Sequence, residues 1–179
     1  RLVSNGHDVT ILVNLSSGSR ANAPKEARII EGDVADADTM QPIAKTVDAI
    51  VHLAAVASVQ QCQSDWRNAH RTNLGGTVTV FEAAAKAGGI PVVYASSAAV
   101  YGDNPALPLN ETAVTQPLSA YGVDKLASEL HGKIAWEHHG VPTVGLRFFN
   151  VYGPRQDASS PYSGVISKFA SLAKARKSF

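Results

Sequence analysis

Ala49-Ile50-Val51-His52-Leu53-Ala54-Ala55 and Pro91-Val92-Val93-Tyr94-Ala95-Ser96-Ser97 decide the fold, together with what lies between them. Each run is almost continuously apolar and rich in β-branched residues, so it reads as a strand covered on both faces rather than one. The connection, residues 65–87, carries helical periodicity and stops at Gly88-Gly89. A strand, a long helix and a second strand of this kind form a parallel pair with a right-handed crossover. Outward from this unit the alternation continues. Residues 9–13 and 28–30 read as strands, with a Ser-, Gly- and Asn-rich loop over 14–24 between them. Residues 36–46 form a helix opened by an Asp cap. A loop broken by Pro105, Pro108 and Pro117 precedes a helix over 119–139, a strand over 141–149 and a last helix over 163–177. Residues 1–4 read as the last turn of a helix, stopped at Asn5-Gly6. The expected architecture is a doubly wound α/β domain with a parallel sheet.

Composition narrows the function classes. The chain has 179 residues, 45% of them hydrophobic and 17% charged, which suits one globular domain. Sixteen Lys and Arg against fifteen Asp and Glu leave a formal charge of +1, so nucleic acid is not an expected partner. No apolar run reaches the length of a membrane span. The single cysteine, Cys62, excludes an internal disulfide, and a cytoplasmic setting is expected. The first residue is Arg1 and the only methionine is Met40, so the chain reads as an interior portion of a longer protein.

In doubly wound sheets, ligands bind beyond the carboxyl ends of the strands. The residues there are Asn14, Asp33, Ala54-Ala55, Ser96-Ser97 and Asn150. Tyr121 and Lys125 open the helix over 119–139 and share one helical face. A phenol is a poor base at neutral pH, and a neighbouring cation favours its ionised form, so the pair suits proton transfer at a hydroxyl. A serine hydroxyl from Ser96 or Ser97 could share the same substrate oxygen.

Three blocks in order, Tyr94-Ala-Ser-Ser-Ala-Ala-Val-Tyr-Gly102, Tyr121-Gly-Val-Asp-Lys125 and Leu146-Arg-Phe-Phe-Asn-Val-Tyr-Gly-Pro-Arg155, resemble the extended short-chain dehydrogenase/reductase family. Within it the chain is similar to NAD-dependent nucleotide-sugar epimerases of the UDP-glucose 4-epimerase type. The resemblance implies a Rossmann-like domain over 1–150, the start of a substrate domain over 151–179, and NAD as cofactor. It implies 4-epimerisation of a UDP-hexose through a transient 4-keto sugar. Tyr121 would be the acid–base, Lys125 would lower its pKa and hold the nicotinamide ribose, and Ser97 rather than Ser96 would be the catalytic hydroxyl. Asn14 would bind the adenosine ribose, and Asp33 and Val34 the adenine. Leu53, Ala54 and Ala55 would line the pyrophosphate, Asn73 would approach the cofactor, and Phe149 would lie near the nicotinamide. Asn150, with Ser97 and Tyr121, would bind the nucleotide sugar. Relatives dimerise through two long helices, here residues 65–87 and 119–139.

Departures from the family pattern carry their own expectations. The glycine-rich phosphate loop and the central strand do not occur in the chain, which would leave that strand's neighbours with unpaired ladder groups. A chain without them is expected neither to fold well nor to hold NAD alone. Val13 stands where NAD-using relatives carry an acid, and Arg20 is the nearest, though distant, cation for a 2′-phosphate. Ala98-Ala99 replaces the Asp-Glu pair of the dehydratases, which disfavours sugar dehydration. A nucleotide-sugar reductase or decarboxylase using the same Ser-Tyr-Lys set, or a non-catalytic fragment, remain the alternatives. His52 reads as a packed strand residue. His131, His138 and His139 lack a carboxylate at metal-ligand spacing. Lys174, Arg176 and Lys177 form a basic helix end. Gly75-Gly76 implies close packing inside a helix, and Cys62 is expected to be inert.

Overall fold

Among the described residues, five strands and six helices alternate as the apolar runs require. The structure, a computed structural model, describes residues 1–156 and 164–176. β1 (Thr10–Val13) and β2 (Arg28–Glu31) pair in parallel, with Ile11 opposite Ile29. β3 (Ile50–His52) pairs in parallel with β4 (Val92–Ser97), and β5 (Thr143–Phe148) lies on the other side of β4. These are two sheets, of order β1-β2 and β3-β4-β5, and among the described residues no strand joins them. The consequence is visible in burial. β1 is only half-buried, and Val51 and Leu53, expected to be covered on both faces, are 55% and 62% exposed. A strand without a neighbour on one side loses the contacts that would cover it.

One core serves both sheets. Met40, Ala44, Val80, Phe81, Ala84, Val92 and Tyr94 are buried together, and Leu12 of β1 and Ile50 of β3 pack against them. Tyr94 is the largest member. It meets Phe81 edge-on at 5.3 Å between ring centres. A Cβ on Gly132 or Gly145 would come within 2.6 Å of its hydroxyl, so only glycine leaves room for the ring there.

The helices obey their caps. Asp36 Oδ1 accepts from the Asp38 amide at the start of α1 (Ala37–Ala44), as the sequence predicts. Ser58 caps α2 (Val59–Ser64), a helix hidden from the sequence reading because its polar run, Gln60-Gln61-Cys62-Gln63, has no apolar period. The helix expected over 65–87 is three pieces: α3 (Trp66–His70), a five-residue π-turn (Arg71–Gly75) and α4 (Gly76–Lys86). Gly76 has the close-packing role expected of it, since a Cβ there would lie 2.7 Å from Val34 Cγ1. Ser119 caps α5 (Ala120–His139), which stops at Gly140 in the left-handed region.

The chain divides into two compact units, Arg1–Arg147 and Phe148–Phe179. Within the second, α6 spans Val165–Lys174. The expected ends of this helix, Ser163 and Lys177, lie outside the described residues.

His52 is buried in β3 with Nε2 3.1 Å from Thr77 Oγ1. Thr77 donates its own proton to the Asn73 carbonyl, so His52 Nε2 carries the hydrogen between them. Burial, reinforced by the charge of Lys125, drops the imidazole pKa to about 4. Between pH 6.5 and about 4 the unfolded histidine takes up a proton that the folded one refuses, so acidification destabilises the fold. We expect a loss on the order of 2–3 kcal/mol over this window, absent in His52→Gln. Denaturant unfolding of both proteins at pH 7 and pH 4.5 checks this; equal losses would contradict it.

Candidate functional site

The site starts where α5 touches the turn after β4. Ser97 ends β4 and caps a short 3₁₀ turn, Ala98–Tyr101, its Oγ accepting from the Ala99 amide at 3.2 Å. α5 begins against this turn. A Cβ on Gly122 would lie 2.8 Å from the Ala99 carbonyl oxygen, so the Tyr121-Gly122 pair is what lets the helix approach so closely. That approach delivers Tyr121 to Ser97, near enough for the serine hydroxyl to favour the ionised phenol. Lys125, one turn along the same face, sets its ammonium 5.7 Å from the Tyr121 ring centre and donates to the Ala95 carbonyl at 2.8 Å. The three side chains named from the sequence are thus brought together.

Their electrostatics differ from the expectation. Burial pushes the Tyr121 phenol above its usual value; the Ser97 hydrogen bond pulls it down, and Cys62 pushes it up. The ammonium sits over the ring rather than on the phenol oxygen, so the predicted lowering by Lys125 does not govern this phenol. Lys125 itself is 2% exposed and falls to about 8 through burial, a trend that Asp124 and Cys62 oppose.

The two serines separate cleanly. Ser96 faces away into a polar skeleton, bonded to Glu129 Oε1 at 2.5 Å. Arg147 grips the same carboxylate with two bonds, 2.8 Å from Nε and 2.7 Å from Nη2. Its Nη1 donates to the Tyr101 hydroxyl and the Glu111 carbonyl. Burial alone raises the Glu129 carboxyl, but the bonds from Arg147 and Ser96 bring it below its usual value. Ser96 therefore ties α5, β4 and β5 together, and Ser97 is the hydroxyl at the tyrosine.

The remaining candidates occupy the strand ends in varied ways. Leu53 and Ala54 are exposed after β3, and Ala55 is half-buried. Asn73, inside the π-turn, is fully buried. Its Oδ1 accepts from the Val56 amide at 2.7 Å and its Nδ2 donates to the Val56 carbonyl at 3.2 Å, so it fixes the loop after β3. Asn14 Oδ1 accepts from both the amide and hydroxyl of Ser16, closing the turn after β1. Arg20 pairs with Glu31. Asp33 accepts from the Ala35 amide and from Arg71 at 2.6 Å; these contacts, against burial, hold its carboxyl below the usual range. Val34 is half-buried and packs on Gly76. Phe149 and Asn150 belong to the second unit and are exposed within it. Cys62 is buried, donates to the Val56 carbonyl at 3.2 Å and has its thiol pushed up by burial, which fits an inert group. Among the described residues no cluster of His, Cys, Asp or Glu forms a metal site.

Gly122, Glu129, Arg147 and the His70–Asp124 pair escaped the sequence reading. The blocks Tyr121-Gly-Val-Asp-Lys125 and Leu146-Arg-Phe-Phe carried a signal for Gly122, Asp124 and Arg147, and no quoted block contains Glu129 or His70.

Parallel strands with covering helices, and a Ser-Tyr-Lys set at the carboxyl end of the sheet, define a Rossmann-like domain of the dehydrogenase/reductase class. The chain belongs to the NAD dependent epimerase/dehydratase family, whose description fits residues 1–179. It is 34% identical to the UDP-glucose 4-epimerase of Streptomyces lividans, over 98% of this chain and 55% of the relative. Among solved structures it resembles a UDP-N-acetylglucosamine 4-epimerase from Methanobrevibacter ruminantium in complex with UDP-N-acetylmuramic acid. That likeness has 40% identity and a TM-score of 0.89, over 96% of this chain and 56% of the other. It also resembles the Thermus thermophilus UDP-glucose 4-epimerase in complex with NAD, at 32% identity and TM-score 0.86, over 96% and 55%. The chain thus spans little more than half the length of these relatives.

The serines give a direct test. Ser97→Ala should raise the Tyr121 titration midpoint, because a bond favouring the phenolate is lost. Ser96→Ala should leave that midpoint in place and cost about 1–3 kcal/mol of stability by stripping a partner from Glu129. Ultraviolet titration of tyrosine ionisation with Tyr121→Phe as reference, and urea unfolding, read the two effects; the reverse pattern would contradict the assignment.

Proposed function

We propose that the intact protein interconverts UDP-hexoses at C4 with NAD, through a transient 4-keto sugar. The observation that carries this reading is the meeting of Ser97, Tyr121 and Lys125 at the end of β4. In it Tyr121 takes the proton of the sugar 4-hydroxyl and later returns it, while Ser97 hydrogen-bonds the same oxygen as its charge develops. The buried Lys125 supplies positive charge beside the phenol and holds the nicotinamide ribose. Bound NAD supplies the redox capacity that oxidises C4 and reduces it again from the other face.

The residues present fit a dinucleotide at these strand ends. Leu53 and Ala54 offer a small apolar surface, and Asp33 a carboxylate with lowered pKa, suited to accepting from an adenine amino group. We assign Asn14, Asp33, Val34, Leu53, Ala54, Ala55, Asn73, Tyr121, Lys125 and Phe149 to the cofactor. Asn150, with Ser97 and Tyr121, takes the nucleotide sugar. Residues 1–150 form the cofactor domain and 151–179 begin the substrate domain. Arg20 is engaged by Glu31, which favours NAD over a 2′-phosphorylated cofactor. The 40% identity to a UDP-N-acetylglucosamine 4-epimerase puts N-acetylated hexoses among the substrates to test.

The inferred assembly is a homodimer through the long helices. Val123, Leu130 and Ile134 are exposed along α5 at spacings of one helical face, and Trp66 of α3 is 67% exposed. The setting is the cytoplasm, in keeping with the one buried thiol; among the described residues no helix is long and apolar enough to cross a membrane.

Incubating the intact protein with UDP-glucose and UDP-N-acetylglucosamine, and following products by NMR, should give the C4 epimers without net consumption of nicotinamide. Tyr121→Phe should lower turnover by about 10²–10⁴ while cofactor stays bound. Net cofactor consumption would point to a reductase, and undiminished turnover in the variant would remove Tyr121 from the mechanism.

A further inference from the structure

The π-turn, Arg71–Gly75, stands against two strand ends at once. Asn73 within it holds the amide and the carbonyl of Val56, after β3. Gly76, next along the chain, packs on Val34, after β2, too closely to leave room for a Cβ. Arg71 therefore springs from a seated backbone. Its Nη1 donates to Asp33 Oδ2 at 2.6 Å, across 38 residues of sequence. Asp33 Oδ1 already accepts from the Ala35 amide at 2.9 Å. That amide fixes one oxygen and leaves the carboxylate plane free to swing about it; the guanidinium fixes the second. The Arg71 and Asp33 side chains are 54% and 31% exposed, and an ion pair that open adds little to stability. What it does add is direction.

We propose that Arg71 is a positioning residue for the base of the dinucleotide: it aims the Asp33 carboxylate at the 6-amino group of adenine, so that the site prefers a 6-amino purine to a 6-oxo one. The inference rests on the assignment of Asp33 to the adenine. An ionised carboxylate accepts and cannot donate, and its two oxygens offer about four lone-pair sites. The Ala35 amide and Arg71 occupy one on each oxygen, which leaves one on each for the base. A 6-amino group brings a hydrogen to it, whereas a 6-oxo group sets acceptor against acceptor. Without Arg71 the carboxylate keeps its bond to Ala35 but loses its fixed plane, and ordering it falls to the incoming base. Arg20 offers no replacement, because it is joined to Glu31.

Calorimetric titration of the intact protein, freed of cofactor, with NAD and with nicotinamide hypoxanthine dinucleotide reads this role without any sugar. Arg71→Met keeps the length of the side chain and removes its donors. It should weaken NAD by about three- to tenfold, the effect of one ordered hydrogen bond, and leave the hypoxanthine analogue almost unchanged. In an Asp33→Ala background the same substitution should weaken NAD no further. A guanidinium acting only as a general attraction for the pyrophosphate would weaken both dinucleotides alike. One acting only on the fold would lower the urea midpoint and leave the preference between the bases where it was. Either result overturns the proposal, as does undiminished NAD affinity in Arg71→Met. Weakening by Arg71→Met but not by Asp33→Ala overturns the route through Asp33. The expected preference in a protein that epimerises no UDP-sugar upholds Arg71 and overturns the epimerase reading instead; failure to bind either dinucleotide overturns both.

Discussion

The approach of α5 to the turn after β4 is the constraint on which the site depends. At Gly122 the helix backbone and the Ala99 carbonyl are too close for any side chain. A helix one methyl group farther out would separate Tyr121 from Ser97 and lift Lys125 away from the Ala95 carbonyl. The geometry of the proposed proton transfer is therefore set by backbone contact, and Ser97, Tyr121 and Lys125 inherit it. Tyr94 acts in the same sense from the other end of α5, seated against Gly132 and Gly145.

A polar skeleton holds this arrangement from behind. Glu129, gripped by Arg147 and bonded by Ser96, links α5 to β4 and β5 through a half-buried ion pair with a two-point fork. Asn73 does the equivalent for the loop after β3, spending its amide on the backbone of Val56. The π-turn around it inserts one residue into the helix, which turns Asn73 inward. Neither device touches the reacting centre directly, yet each fixes a strand end that the cofactor and sugar are proposed to meet.

The alternating architecture was legible because the strands of an α/β domain are apolar on both faces, a pattern hard to mistake over 92–95 or 50–53. Tyr121 and Lys125 were legible because a helix places residues four apart on one face. Less visible was anything that depends on partners distant in sequence. Ser96 and Ser97 look alike as letters; only the alternation of a strand sends one to Glu129 and the other to Tyr121. Asp124 reads as an ordinary polar position on a helix until α3 closes over it with His70. The phenol pKa was misjudged for the same reason, since burial outweighs a cation that lies over the ring. Val51 and Leu53 read as covered, and the split into two sheets left them open.

The most direct measurement is a crystal structure of the intact protein with NAD and a UDP-hexose bound. The sugar 4-hydroxyl oxygen is expected within about 3 Å of both the Tyr121 and Ser97 hydroxyls, with Lys125 against the nicotinamide ribose. A sugar bound with C4 remote from Tyr121, or a dinucleotide seated away from the ends of β1, β3 and β4, would contradict this.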